Sequence, residues 1–192
     1  FALATIAPDG TCFNGVTRTK SSTTFDNDEG AQLNAVVNGN DVYQGNWPTS
    51  KYLNVFVADV ISSPGAAAYA YFPNSAAMNQ GVWTQHRYCG SIGTSSQGNS
   101  SVVVHELGHW FALYHTWGSK NLVGNNNPVS SDCGKEDDFV IDTPETIGNK
   151  GCDVNANTCN ADNAYWGYDI IDNVENFMEY SYCFKMFTQG QS

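Results

Sequence analysis

Apolar residues gather in short blocks separated by long polar stretches. Residues 2–7 (Ala-Leu-Ala-Thr-Ile-Ala) predict a short strand, ended by the turn sequence Pro8-Asp9-Gly10. Residues 11–51, rich in Thr, Asn, Asp and Gly, predict a long irregular excursion. Residues 52–61 are apolar and β-branched, the composition of a central strand. Residues 67–72 stop at Pro73 and predict an edge strand. Over residues 81–89, Val82, Thr84, His86 and Tyr88 alternate with Trp83, Gln85 and Arg87, the period of a further strand. Residues 90–101 are a Gly/Ser/Thr-rich connection in which Ser100 or Ser101 is expected to cap a helix. That helix is predicted over residues 102–113, buried on most sides. After Trp117 periodicity is lost: residues 118–172 read as loops holding three cysteines, and residues 173–187 return to apolar and aromatic character. Strands, then one central helix, then a loop-rich and cysteine-stapled half predict the α+β class.

Length and composition narrow this picture. The chain has 192 residues, 41% of them hydrophobic, enough for one domain with a full core. No internal repeat is visible, and no apolar run is long enough for a helical membrane span. Eight Lys and Arg stand against 19 Asp and Glu, a net charge of -11. That balance disfavours nucleic acid, whose phosphates would be repelled, and anionic lipid surfaces. Cys12, Cys89, Cys133, Cys152, Cys159 and Cys183 are an even set without a CxxC pair, which predicts a secreted protein with three disulfides. The start at Phe1 leaves open a processed longer precursor, a trimmed chain or an incomplete stretch of the mature chain. Asn99-Ser100-Ser101 is a glycosylation sequon, meaningful in a eukaryotic source.

The chemistry concentrates in one place. Three of the four histidines form His105-Glu-Leu-Gly-His109 with His115 six residues on. On a helix, His105 and His109 share a face and can present both imidazoles to one ion. His115 completes a three-nitrogen set with one open position, the pattern of a catalytic zinc. Zinc makes water nucleophilic near neutral pH. Glu106, one residue round the helix, is placed to take the proton and pass it to a leaving amine. The fourth histidine, His86, lies beside Arg87 and reads as a surface or core residue.

The extended pattern His-Glu-x-x-His-x-x-Gly-x-x-His marks the metzincin clan, and residues 105–115 follow it except at Ala112. Residues 105–117 resemble the active-site helix of its pappalysin family, and residues 176–191 resemble that family's Met-turn segment. Asp142-Thr143-Pro144 also matches, and residues 52–57 and 14–19 are weaker echoes. The resemblance implies one metallopeptidase catalytic domain over residues 1–192. Residues 1–109 would supply an upper twisted mixed sheet, an edge strand over the cleft and the active-site helix; residues 110–192 would supply a lower loop-rich half. Family members usually carry a strand and a long helix before the segment starting at Phe1, and a helix after Gln191, so the resemblance implies that these elements are missing at both ends of this sequence. The resemblance makes Met178 a hydrophobic floor beneath the zinc and Tyr180 a phenol that steadies the oxyanion. It implies the bridges Cys133–Cys159 and Cys152–Cys183, which leaves Cys12 and Cys89 to pair. Ala112 stands where the clan carries Gly, at a position where the chain leaves the helix.

Asp132, Glu136, Asp137, Asp138, Asp142 and Glu145 crowd one loop with only Lys135 to balance them. From the residues alone, a solvated acidic loop and a calcium site are both open. The resemblance implies calcium, with Asp138, Asp142, Thr143 and the Val140 carbonyl as ligands. The expected function is a secreted zinc endopeptidase whose protein or peptide substrates lie extended and antiparallel to the edge strand. Ser181 and Tyr182 place no carboxylate after Tyr180 to select a basic side chain. The alternatives are a catalytically silent zinc-binding adhesion module, which would be expected to lose Glu106, and a zinc amidohydrolase acting on non-peptide amides.

Overall fold

The computed structural model describes residues 2–38, 47–61, 65–73, 81–119, 133, 137–159 and 165–192. Met78 and, in the acidic loop, Asp132, Lys135 and Glu136 lie outside the described residues. The chain divides into two compact units, Phe1–Glu106 and Leu107–Ser192.

The first unit is built on strands β1 (Val55–Ala58), β2 (Ala68–Ala70) and β3 (Val82–Gln85), in spatial order β1-β3-β2. β1 runs parallel to β3, and β2 runs antiparallel to it with Ala68 opposite Thr84 and Ala70 opposite Val82. The edge position of β2 is as expected, but the expected central strand is displaced. β3 is central and β1 flanks it. Val55 and Val57 are 42% and 50% exposed, whereas all four β3 residues are buried. Thr84 and Gln85 mask that burial in the sequence. They meet it with hydrogen bonds: Gln85 Nε2 donates to the Ala66 carbonyl at 2.6 Å, and Thr84 Oγ1 to the Gln85 carbonyl at 3.2 Å.

Residues 2–7 form only an isolated bridge, Ile6 with Cys12, and Leu3 and Ile6 stay exposed. The strand predicted over residues 81–89 ends at Gln85, and a 3-10 turn follows at His86–Tyr88. There His86 Nδ1 sits 3.0 Å from Asp59 Oδ1, a surface role.

The stretch expected to be irregular contains a helix, α1 (Glu29–Asn38). Asp28 Oδ1 accepts the Ala31 N–H at 3.0 Å, an N-cap that the Asn/Asp-rich context disguised. Glu29, Leu33 and Val37 fall at i, i+4 and i+8, one stripe of the helix. Leu33 joins Ala58, Ile61 and Trp83 in the core, with Val37, Phe56, Tyr69 and Tyr71 packed around them. Phe56 stacks on Trp83 with centroids 4.5 Å apart.

Helix α2 (Gln97–Trp110) starts earlier than predicted. Its cap is Ser96, whose Oγ accepts the Asn99 N–H at 3.1 Å, not Ser100 or Ser101. Those two hydroxyls instead donate back to the Gln97 carbonyl.

In the second unit, the bridges Cys133–Cys159 and Cys152–Cys183 are formed and staple a loop-rich segment. The third expected bridge is not: no bond joins Cys12 to Cys89. Cys12 is held in the Ile6 bridge, while Cys89 closes the 3-10 turn by donating its N–H to the His86 carbonyl.

Gln32 on α1 is 5% exposed, and its Nε2 donates to the carbonyls of Thr23, Asp26 and Val60. Gln32→Leu keeps the volume but strands buried carbonyls. Urea unfolding is expected to show a loss of about 2 kcal/mol with an unchanged m-value; an unchanged midpoint would mean that water replaces the amide.

Candidate metal centre

His105 and His109 lie one turn apart on α2, and the chain must then turn sharply for His115 to join them. The helix ends in a Schellman motif: the Leu113 N–H donates to the Gly108 carbonyl at 3.0 Å and the Ala112 N–H to the His109 carbonyl at 2.9 Å. Ala112 takes the left-handed position, with φ 68°. Glycine is usual there because a Cβ costs roughly 1 kcal/mol or more in this conformation.

The expected ligands come together. The nearest donor atoms of His105, His109 and His115 all lie within 4.8 Å of one another. His109 Nε2 and His115 Nε2 are 3.1 Å apart. His109 Nδ1 lies 2.8 Å from the Leu113 carbonyl, which can only accept, so Nδ1 carries the hydrogen and Nε2 is left with its lone pair. Desolvation pushes the His109 pKa down, against the Leu113 carbonyl, and keeps the ring neutral. Three imidazoles converging with a lone pair set by the helix end are a donor set suited to zinc.

Glu106 is 7% exposed. Burial pushes its carboxyl up to about 8, and the backbone N–H of Ala70 on β2 draws it back by donating to the charged form.

Met178 is fully buried and presses on the ligand-bearing helix, since a Cβ added at Gly108 would come within 2.2 Å of its Sδ. Its backbone is fixed by the Asn176 side chain, whose Oδ1 accepts the Met178 N–H at 2.8 Å. The Met178 carbonyl accepts the Thr116 N–H at 3.3 Å, so the residue after His115 is tied to this turn. Tyr180 is 40% exposed, and its ring meets the His115 ring edge-on at 4.8 Å. His115 also stacks flat on Trp117 at 4.4 Å.

The sequence reading missed a buried polar knot beneath these residues. Glu179, 1% exposed, accepts from Thr116 Oγ1 at 3.0 Å and from the Asn149 N–H at 2.8 Å. Asp172 accepts from Asn149 Nδ2 at 2.8 Å, Thr146 Oγ1 at 3.0 Å and Thr158 Oγ1 at 2.8 Å. Burial raises the Glu179 pKa to about 7 against these donors. The available signal was Thr146, Asn149 and Thr158, which supply donors to these two acids.

The acidic-loop residues are only partly gathered. Asp138 is buried; no hydrogen bond of ordinary geometry reaches its Oδ2 or Thr143 Oγ1, yet the Thr143 hydroxyl lies close enough to favour the Asp138 carboxylate. Asp138 Oδ1 accepts the Val140 N–H at 2.9 Å, and the Val140 carbonyl accepts the Thr143 N–H at 3.0 Å. Asp142 is engaged elsewhere, accepting from Thr188 Oγ1 at 2.7 Å and from the Gly190 N–H at 2.9 Å.

A family profile described as pregnancy-associated plasma protein-A, peptidase family M43, matches residues 36–192. The chain belongs to this family. Mature mirolysin of Tannerella forsythia, solved with a cleaved peptide, matches at TM-score 0.73 and 28% identity over all of this chain and 67% of its own. Promirolysin matches at TM-score 0.71 and 28% identity, over all of this chain and 59% of its own. The fold is therefore metzincin-like, as expected. An extracellular metalloprotease of Neurospora crassa is 30% identical over 155 residues, 74% of this chain and 46% of the relative. Extracellular metalloprotease 1 of Coccidioides posadasii is 29% identical over 137 residues, 66% of this chain and 42% of the relative. The chain thus spans just under half the length of these curated relatives. Membership of a metallopeptidase family implies zinc, and the histidine triad fits it.

Because Ala112 holds φ 68°, Ala112→Gly removes strain at the cost of a more flexible unfolded chain. A net gain of about 0.5 kcal/mol in thermal unfolding is expected, with zinc stoichiometry unchanged. A loss instead would show that the Ala112 methyl contributes packing that outweighs its strain.

Proposed function

We propose that this chain is the catalytic domain of a secreted zinc endopeptidase. The observation that carries the reading is the convergence of three imidazole nitrogens within 4.8 Å, with the buried Glu106 carboxyl adjoining His105 on the same helix. Zinc, when bound, supplies a Lewis acid that lowers the pKa of water and polarises the scissile carbonyl. Glu106 takes the water proton on its carboxylate and returns it to the leaving amine. The Tyr180 phenol, beside the His115 ring, donates to the oxyanion as charge develops. Substrate lies extended along β2, where Ala68 and Ala70 pair with β3 by the non-hydrogen-bonded register and so turn their backbone groups outward. Export is supported by the two disulfides and by relatives named as extracellular metalloproteases.

The retained Glu106 favours an enzyme over a silent module. Glu106→Ala is expected to keep the fold and about one zinc per chain, and to lower hydrolysis of a denatured protein by several orders of magnitude. Activity above about a tenth of wild type at full zinc content would overturn the general-base role.

A second ion, calcium, is proposed at Asp138 and Thr143, whose buried side-chain oxygens lie together without a well-formed hydrogen bond, with the Val140 carbonyl as a further oxygen ligand. Asp142, held by Thr188 and Gly190, joins only through its remaining lone pairs. Burial raises the Asp138 pKa from 3.8 to about 7. The folded state therefore binds the proton more tightly than the unfolded state, and stability falls as pH rises through that window. Calcium competes with this proton. The gain in Tm from calcium is expected to be small at about pH 5 and largest at about pH 8. Coincident melting curves at the higher pH, in excess calcium and in a calcium-selective chelator with zinc retained, would remove the site.

A further inference from the structure

Strand β2 is three residues long, and among the described residues it pairs on one side only. Its hold on β3 includes the Tyr71 N–H to the Gly81 carbonyl at 3.3 Å and the Gln85 N–H to the Ala67 carbonyl at 3.0 Å. A short edge strand of this kind frays unless its side chains anchor it. Ala68 and Ala70 contribute only methyl groups, so the anchoring falls to Tyr69 and Tyr71, which share the opposite face.

Both phenols end on one carboxylate. Tyr69 Oη donates to Glu29 Oε2, and Tyr71 Oη lies 3.2 Å from each Glu29 oxygen. Tyr69 is also stacked over Trp83 of the central strand, at 6.4 Å and 12°, and meets Tyr71 edge-on at 5.8 Å. Glu29 heads the stripe of α1 that continues through Leu33 into the core. The helix therefore holds the edge strand by a charged clamp at its first turn. Packing alone does not call for this, because an apolar residue at position 29 would extend the same stripe. The carboxylate adds direction: two donors on alternate residues fix both the height and the tilt of the strand between them. The residue between them is Ala70, whose outward N–H donates to Glu106 and whose outward carbonyl is left for the proposed substrate rung.

We propose that Glu29 is a positioning residue that, through Tyr69 and Tyr71, fixes the outward backbone groups of Ala68 and Ala70 for pairing with an extended peptide. The proposal rests on the edge-strand reading above. It assigns Glu29 no contact with substrate. Its effect is to pre-order the rung, so that an incoming peptide does not bear the entropy of ordering the strand.

The test is a ladder of peptides of increasing length around one scissile bond, cleaved by wild type, Glu29→Gln, Tyr69→Phe/Tyr71→Phe and the triple variant. In wild type, kcat/KM is expected to climb as added residues reach the strand. In Glu29→Gln the climb should flatten, with KM for the longest peptide raised about five- to tenfold, kcat changed less than about twofold and the shortest peptide unaffected. The phenylalanine pair should match it, and the triple variant should be no worse than either, the non-additivity of one shared clamp. In the substrate-free protein, amide hydrogen exchange over residues 68–71 should be faster in Glu29→Gln than in wild type. Equal losses at every peptide length, or unchanged exchange at these amides, would make Glu29 merely structural and overturn the proposal. A wild type with no length dependence would instead refute the edge-strand reading itself. Should Glu29→Gln fail to fold, Tyr71→Phe alone carries the same comparison.

Discussion

The whole site depends on one constraint: the chain must leave helix α2 within two residues of His109. Two ligands one turn apart need a rigid helix, and a third ligand six residues later needs that helix to stop. The left-handed residue at Ala112 does this, and its helix-ending hydrogen bonds use carbonyls that would otherwise stay unpaired. The same turn brings the Leu113 carbonyl to His109 Nδ1, so the helix end also selects the tautomer that frees Nε2. Backbone geometry and ligand chemistry are thus a single requirement. A Cβ is tolerated at the strained position because the surrounding hydrogen bonds over-determine it.

Beyond the turn, the chain is held by polar contacts as much as by apolar ones. Among the described residues of Leu107–Ser192 regular elements are few, so backbone groups there cannot be satisfied by helix or sheet. Glu179 and Asp172 collect donors from loops far apart in sequence, and two disulfides shorten the loops that must be ordered. Met178 presses on the ligand helix while its neighbour Glu179 grips Thr116. One dipeptide therefore fixes the helix by packing and the third-ligand segment by a buried carboxyl hydrogen bond.

The legible parts of the sequence were those where one pattern has one physical meaning. His105, Glu106, His109 and His115 are rare residue types at a spacing that only a helix and a turn satisfy, and the structure brings the three histidines together. β2 was announced by its length and by Pro73. The order of the sheet was not legible, because β3 buries Thr84 and Gln85 by hydrogen-bonding them, which reads as an amphipathic strand. Helix α1 was hidden because only Leu33, Val36 and Val37 of its ten residues are large and apolar, and Val36 falls off the Glu29–Leu33–Val37 stripe. Its existence follows from tertiary packing and an Asp28 cap rather than from propensity. The pairing of Cys12 with Cys89 failed for a related reason: elimination counts cysteines but knows nothing of where two loops lie.

The hidden helix and the legible motif meet at the edge strand. Helix α2 can fix Glu106 relative to His105 because both belong to it, but nothing in that helix fixes the strand whose N–H faces Glu106. That strand has one hydrogen-bonded neighbour among the described residues and two alanines on one face, so its position is inherited from whatever holds its tyrosines. Glu29 holds them, and Leu33 one turn later holds Glu29 to the core. The polar stretch that looked like a connection in the sequence is by this route part of the support of the site. Its composition reflects that duty, since a clamp made of a carboxylate and two phenols carries no hydrophobic period for a sequence reading to find.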